Sequence, residues 1–526
     1  MKMPRVLRAI ELTSAAAIAA GVLYFSGVAL AGGRIAPAPH INMGGGGYHP
    51  PAMRPNTGGG FHPPAGRPNT GGGFHPPASR PSTGGGYHPP AGRPSTGNNG
   101  AGHPNTSNVH PNNGVRPGGT AGGRPSSLST PRGGSSHTAS SGSSMRTHAN
   151  GSPAEFHDAR RGTTVQHGLN GGNRVSSFRS NHEGIVSARG RPGFVQHPYS
   201  YGGREFASRT YVSGGRVYSA NFMAYSYRGA FMSVYAPGFY YSPYFYGWAY
   251  NPWGTPFAYG WGFAGLPWYG YYGYYFSPYA TYPSAAYWLT DYLISQDLQT
   301  AYTAHVEGGE TDGMPPDEPG QAPALTPDVK QMISDEVRNQ LALENQEAQM
   351  VSHQQDVDPG SSGIDRILND AAKGKSHVFV VNTALDVVDT AQNECSLSDG
   401  DVLSLQTAPP GDATTASLLV LSSKGGQECA PQTTVTVQLT DLQEMQNHMR
   451  ELIDQGLQEL QKKQGSNGIP ALPASVPAQP TPAPYAAIAP PPDPNAAVEI
   501  QQQADQASEV EKDVSAETAT VGGSGQ

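Results

Sequence analysis

Between residues 231 and 290 the chain has no Asp, Glu, Lys or Arg, and 26 of those sixty residues are Tyr, Phe or Trp. All five tryptophans, Trp248, Trp253, Trp261, Trp268 and Trp288, fall in this tract. So much uncharged ring surface has to be covered by the protein's own fold, a second copy, a glycan or a membrane interface. Seven prolines from Pro237 to Pro283 exclude long helices and central strands from the tract. The rings therefore read first as an irregular core or a self-association surface. Stacking on sugars and an interfacial membrane belt are the alternatives. The five tryptophans are the candidate glycan-binding or self-association aromatics.

The chain opens with Lys2, Arg5 and Arg8 ahead of an apolar stretch over residues 13–30, and Ala29-Leu30-Ala31 fits a small-x-small cleavage pattern. This is the layout of a signal peptide over residues 1–31. A retained N-terminal anchor is the alternative, because about eighteen residues just span a bilayer. No later segment is long, apolar and free of Pro and Gly, so no transmembrane span is expected after cleavage. The expected address is the periplasm, the outer membrane or the cell exterior. In an exported chain the two cysteines, Cys395 and Cys429, are expected to form a disulfide. Closing a loop of about 35 residues is worth roughly 3–4 kcal/mol in the chain-entropy picture. Two cysteines without His at ligand spacing make no tetrahedral set, so neither a metal nor a cofactor is expected.

The net charge of −8 hides a polarised chain. Residues 34–228 carry nineteen Arg, no Lys and four acids, giving +15, whereas residues 291–526 carry ten bases and thirty-five acids, giving −25. Either the two halves attract each other or the basic half meets an anionic surface. Residues 44–96 repeat every thirteen residues, with Tyr48-His49, Phe61-His62, Phe74-His75 and Tyr87-His88 followed in register by Arg54, Arg67, Arg80 and Arg93. One aromatic per unit is too little to stack as a solenoid. Residues 32–155 accordingly read as a disordered arm, and the repeat arginines are candidate contacts to an anionic polymer. The repeat histidines each precede Pro on this arm and read as spacer composition rather than ligands. Export makes intracellular nucleic acid an unsuitable partner, leaving an anionic polysaccharide or the envelope surface.

Short β-type runs punctuated by glycine predict an antiparallel meander over residues 156–235. The aromatic tract and a helix opening after Ser284 occupy 236–305, and an acidic linker 306–324. Residues 325–464 read as an α+β domain. Its first helix starts at Thr326-Pro327, and strands are predicted over 377–382, 385–388, 402–406, 417–421 and 433–439. A capping box, Thr440-Asp441-Leu442-Gln443, opens a last helix. Residues 465–526, Pro/Ala-rich and then acidic, read as disordered. The fold expected is a largely disordered, low-complexity chain carrying an irregular antiparallel β-meander and a small C-terminal α+β domain.

This order of parts, with Trp288-Leu289-Thr290-Asp291-Tyr292-Leu293-Ile294 closing the tract and His377-Val378-Phe379-Val380-Val381 in the last unit, resembles exported Gly/Tyr-rich bacterial envelope proteins of unknown function. The resemblance spans about residues 160–464 and implies an envelope address but no activity.

No catalytic constellation emerges. Lys373-Gly374-Lys375-Ser376 lacks the first glycine of a phosphate-binding loop and precedes a strand rather than a helix. Asp386 and Asp389 could be imagined as paired carboxylates, but acids at strand ends are usually solvated turn residues. The sequence thus predicts a non-enzymatic envelope or surface protein, structural, adhesive or matrix-interacting. The alternative is a periplasmic glycan-binding accessory protein that uses the aromatic tract as its sugar platform.

Overall fold

Glycine and short polar residues recur every nine to fourteen positions through the Arg-rich half of the chain. In the computed structural model they are the turns of one long meander. The structure describes residues 130–213, 215–307, 325–426, 428–476 and 479–522. The predicted signal segment, the repeats with Arg54, Arg67, Arg80 and Arg93, and residues 308–324 of the predicted linker lie outside the described residues. Ten antiparallel strands follow in chain order, each pairing with the next: β1 (Ser136–Thr138), β2 (Ser144–Thr147), β3 (Pro153–Asp158), β4 (Thr163–His167), β5 (Asn173–Phe178), β6 (Gly184–Ala188), β7 (Gly193–Tyr201), β8 (Arg204–Ser213), β9 (Arg216–Tyr227) and β10 (Ala230–Ala236). Several hairpins share one closure. The N–H of Gly142, Gly151 or Gly171 donates to the carbonyl three residues back, and each of these glycines sits at positive φ, where a side chain would be strained. That is why residues 136–155, expected to belong to the arm, are strands. Their Gly/Ser/Asn content is turn chemistry, and Met145, Ala154 and Phe156 supply the apolar positions between the turns.

The aromatic tract breaks at its prolines into a two-residue strand β11 (Phe239–Tyr240) and two short helices, α1 (Pro243–Tyr250) and α2 (Pro267–Tyr272). Pro243 and Pro267 stand in the first turns, where a missing N–H costs nothing. Helix α3 (Ala285–Glu307) follows, then α4 (Pro327–Ser352), α5 (Pro359–Ser362) and α6 (Ile364–Ala372). The expected cap at Thr326 is present, its hydroxyl accepting the Val329 N–H. The hydroxyl of Ser284, by contrast, has no hydrogen-bond partner. A six-stranded sheet comes next, formed by β12 (His377–Val380), β13 (Leu385–Asp389), β14 (Glu394–Leu397), β15 (Val402–Leu405), β16 (Thr415–Ser422) and β17 (Thr434–Gln438), in the order β12-β15-β16-β17-β13-β14. The disulfide joins Cys395 in β14 to Cys429 ahead of β17. Helix α7 (Leu439–Lys463) starts one residue before the predicted capping box, and the box does not form: the Thr440 hydroxyl has no partner.

The main core joins the tract, α3, α4 and α7 to the last strands of the meander. Trp288, Phe245, Tyr246, Phe276 and Tyr282 are essentially inaccessible within it. Helices α3 and α7 cross closely at Gly456, where a β-carbon would meet Leu289 Cδ2 at 2.4 Å. The tail corrects another expectation. Instead of disorder it contributes β18 (Thr481–Pro482), paired with β11, and helices α8 (Ala496–Asp505) and α9 (Ala507–Gly522). Val510 and Val514 of α9 pack on Phe156, Val165 and Val175 of the meander, while Glu509 and Asp513 pair with Arg161. The acidic composition that suggested disorder is matched by arginines nearly 350 residues upstream.

The outer edge of β10 is covered by α7. Asn447 Oδ1 accepts the Tyr235 N–H at 2.8 Å and its Nδ2 donates to the Ser233 carbonyl at 2.7 Å. Asn447→Ala strands two buried backbone groups, so unfolding in urea should show a loss of about 3 kcal/mol. The paired substitution Cys395→Ser with Cys429→Ser should cost a similar amount, about 3 kcal/mol, by releasing the closed loop. A midpoint equal to that of the oxidised parent would show that the loop is held by other contacts.

Candidate functional site

Alternation along the meander gives the sheet two faces. One is covered by α8 and α9. The other carries Arg174, Ser176 and Phe178 of β5, Phe194 and Gln196 of β7, Arg209 and Tyr211 of β8, and Tyr218 and Phe222 of β9. It faces helix α7, and the space between them is a cavity of about 530 Å³. Cross-strand pairing sets Phe194 opposite Tyr211 and Tyr211 opposite Tyr218. Their rings meet at 5.4 Å edge-on and 5.1 Å stacked, respectively. Helix α7 contributes the opposing polar groups Gln443, Glu444, Asn447, His448 and Glu451.

Arg209 ties the two walls together. It is 4% exposed, it donates to both carboxylate oxygens of Glu444 at 2.8 and 2.9 Å and to Gln196 Oε1 at 2.8 Å, and it lies over the rings of Phe194 and Phe222. Burial opposes the charge on each partner. Even so, Arg209 holds the Glu444 carboxyl below the usual carboxylate range, and the bidentate geometry supports an ionised pair. Nearby, His448 Nε2 and Asp297 Oδ1 are 2.8 Å apart. Burial disfavours the imidazolium, but Asp297 overcomes this and raises the His448 pKa.

A second cavity, of about 370 Å³, adjoins the first and shares Gln166, Arg174, Ala188, Arg191, Thr383 and Asp399 with it. Its walls are the loop of residues 168–172, the β6–β7 turn, the end of α3 and the loops of the six-stranded sheet. The turn seats closely on α3 through Gly190, at φ +71°, where a β-carbon would meet Ala304 Cα at 2.2 Å. The aromatic tract braces this end: Tyr271 and Tyr272 line the cavity, Tyr274 donates to the Lys424 carbonyl and Tyr275 to the Gly400 carbonyl. Lys424, buried, pairs with Asp401 and Glu428, and Arg191 pairs with Asp399.

The predicted site residues fall elsewhere. Trp253, Trp268 and Trp288 are buried in the core. Trp248 and Trp261 are half-buried, Trp261 stacking on Trp288 at 4.8 Å. None of the five lines either cavity. Cys429 follows the cavity residue Glu428 directly, so the disulfide supports that wall. Asp386 and Asp389 do not converge. Asp389 is a turn residue accepting the N–H groups of Ala391 and Asn393, whereas Asp386 lines the smaller cavity and accepts the Leu169 N–H. His377 is buried against Glu336 at 3.2 Å. Arg146, Arg191, Arg209 and Glu444 were not singled out from the sequence. The signal for Arg209 was available as a basic residue in an otherwise β-type alternation, at an inward position. Among the described residues no group of three or more His, Cys, Asp or Glu is placed to hold a metal, and no helix is long and apolar enough to cross a membrane. No family model, no curated protein and no solved structure matches the chain.

Burial pushes the Asp386 carboxyl up to about 6, against the Leu169 N–H and the charge of His148, which pull it down. An acid raised in this way favours folding fully below its unfolded value near 3.8. That favour is lost as pH rises through about 6, and ionisation then costs about 3 kcal/mol. Asp386→Asn keeps an acceptor for Leu169 and removes the charge. It should therefore raise stability at pH 7.5 by about 1–2 kcal/mol, with the gain fading as pH is lowered toward 4. Urea unfolding at the two pH values checks this, and a gain independent of pH would refute it.

Proposed function

We propose that this is an exported, non-enzymatic cell-envelope protein that holds a saccharide segment of the envelope or its surrounding matrix in the gallery formed by the two cavities. The observation carrying this reading is the pairing of walls: a cross-strand row of rings, Phe194, Tyr211 and Tyr218, opposite amide, carboxylate and imidazole groups of α7. Rings and fixed hydrogen-bonding groups on opposite sides of a slot suit a ring-shaped polyol, which has apolar faces and a polar rim. The volumes fall within the range of small-ligand sites. A binding role is supported by the commitment of the charged groups to one another, as in Arg209–Glu444, Arg191–Asp399 and His448–Asp297. None of these pairs includes a nucleophilic hydroxyl or thiol. The stacking surface expected of the aromatic tract is thereby assigned to the meander, with the tract as its support. The envelope address rests on the N-terminal signal pattern and the resemblance to envelope proteins.

Saturation-transfer NMR on the full chain, with a panel of soluble oligosaccharides derived from envelope and extracellular polymers, tests the reading. At least one should bind, and Tyr218→Ala should weaken it by about tenfold, equivalent to about 1.4 kcal/mol, without shifting the thermal midpoint by more than a few degrees. Absence of binding across the panel, or an unaltered affinity in Tyr218→Ala, would overturn it.

A further inference from the structure

The smaller cavity differs in charge from the larger one. Five cations line it, Arg146, Arg174, Arg189, Arg191 and Lys424, against three carboxylates, Asp386, Asp399 and Glu428. The carboxylates are each engaged: Asp399 by Arg191, Glu428 by Lys424 and the Ser398 hydroxyl, and Asp386 by the Leu169 N–H. Glu394, behind this wall, is held by His148 at 2.9 Å and by the Ala149 N–H. Not every N–H of these cations has an acceptor. Nη1 of Arg146, whose charge is felt by Asp386 and Glu394, and Nη1 of Arg191 are buried and have no hydrogen-bond partner among the described residues. A buried donor left without an acceptor is costly. Two such donors on one cavity make it a place where an acceptor group is strongly favoured. Arg191 is well fixed for this. Its Nη2 is anchored on Asp399, and its side chain is only 12% exposed, so the fork is oriented before any ligand arrives.

Resting on the gallery reading above, we infer that the smaller cavity binds an acidic group of the saccharide, a carboxylate as in a uronic acid, at the unanswered N–H of Arg191, with Arg146 adding positive charge elsewhere on the same cavity, while neutral portions run along the Phe194–Tyr211–Tyr218 row. A planar carboxylate matches the planar donor fork of arginine. The two cavities share the Arg191 wall, which places the acidic group where the row of rings ends. Arg189, on the β6–β7 turn, adds positive charge at the same wall. No covalent step is involved.

Isothermal titration of the full chain at pH 7.5 and low salt, with tetragalacturonate, maltotetraose and inorganic phosphate as probes, tests this. Tetragalacturonate should bind at least tenfold more tightly than maltotetraose, and 0.5 M NaCl should remove most of that preference. Arg146→Gln should bring the ratio of the two affinities down by about tenfold. Arg191→Lys, which keeps a cation beside Asp399, should lower it as well, with circular dichroism and the thermal midpoint confirming that both variants are folded. Equal affinities for the acidic and neutral sugars in the parent would overturn the carboxylate site while leaving the gallery reading standing. If neither sugar binds, both fall. Phosphate binding as tightly as tetragalacturonate would overturn recognition of a sugar acid in favour of a general anion site.

Discussion

The fold depends on how Arg450 is buried. Its side chain is fully inaccessible, it donates to the Tyr235 carbonyl on the edge of β10, and it reaches Glu347 of α4 at 2.7 Å. One guanidinium therefore fixes three elements: the end of the meander, the helix that covers it, and the helix behind. A sheet of ten strands in simple order has two open edges, and an open edge recruits other strands. At β10 the edge is closed by side chains of α7, with Asn447 and Arg450 taking the hydrogen bonds a further strand would take. Buried charge of this kind persists only where it is balanced. Two more acids, Glu344 and Asp454, stand beside Arg450 and Glu347. Burial pushes both carboxyls toward their protonated forms; the charge of Asp454 raises Glu344 further, and that of Glu347 opposes ionisation of both. The Asp454 carboxyl also accepts the Tyr235 hydroxyl at 2.7 Å. The cluster thus approaches neutrality, and α7 is locked in place. Glu444 and His448 lie less than two turns before Arg450 on the same helix, so the lock also sets one wall of the gallery.

The polarity of the chain acts inside the fold. Arginines of the meander are answered by acids from the C-terminal half: Arg209 by Glu444, Arg191 by Asp399, Arg161 by Glu509 and Asp513, and Arg160 by Glu517. These pairs differ in weight. Those to the tail are exposed and each contributes little. In Arg209–Glu444 and Arg191–Asp399 the arginine is shielded and geometrically fixed, and there charge determines structure. Of the two sequence readings of the charge split, attraction between halves accounts for these four arginines. The repeat arginines Arg54, Arg67, Arg80 and Arg93 lie outside the described residues.

What could be read from the sequence follows the range of the forces involved. Local signals located well: glycine-punctuated runs gave the meander, Thr326-Pro327 opened α4, and five of the six strands of the second sheet lay near their predicted spans. The sixth, β14, was hidden because Glu394-Cys395-Ser396-Leu397 has only two apolar residues and gains its place by pairing with β13. The capping box at Thr440 was a sequence pattern without its geometry, because α7 begins at Leu439 as a direct continuation of β17. The tail was misread since its few apolar residues, Val510 and Val514 among them, are too sparse to imply a core until Phe156, Val165 and Val175 are placed beneath them. The gallery depends on the same kind of distant pairing. Arg209 and Glu444 are 235 residues apart, and nothing local marks either as a partner of the other.

The aromatic tract shows what a dense run of rings does where prolines bar regular secondary structure. A tract of this density was expected either to face a ligand or to cover itself, and most of it covers itself: Tyr241 on Phe245, Trp248 on Trp253, Trp261 on Trp288, Trp288 on Tyr292. With prolines preventing regular helices or strands, ring-on-ring contacts and side-chain hydrogen bonds hold backbone that secondary structure cannot. Rings used in this way lose their faces to each other. Their hydroxyls remain available, and those of Tyr274 and Tyr275 are directed at carbonyls of Lys424 and Gly400, beside the smaller cavity. The tract therefore shapes the gallery from behind, fixing the loops that carry Asp399 and Lys424. The rings that line the larger cavity come instead from the meander, whose strands hold Phe194, Tyr211 and Tyr218 in register. Support and contact are thus divided between two sets of aromatics, and substitution within the tract would reach the gallery only by moving those loops.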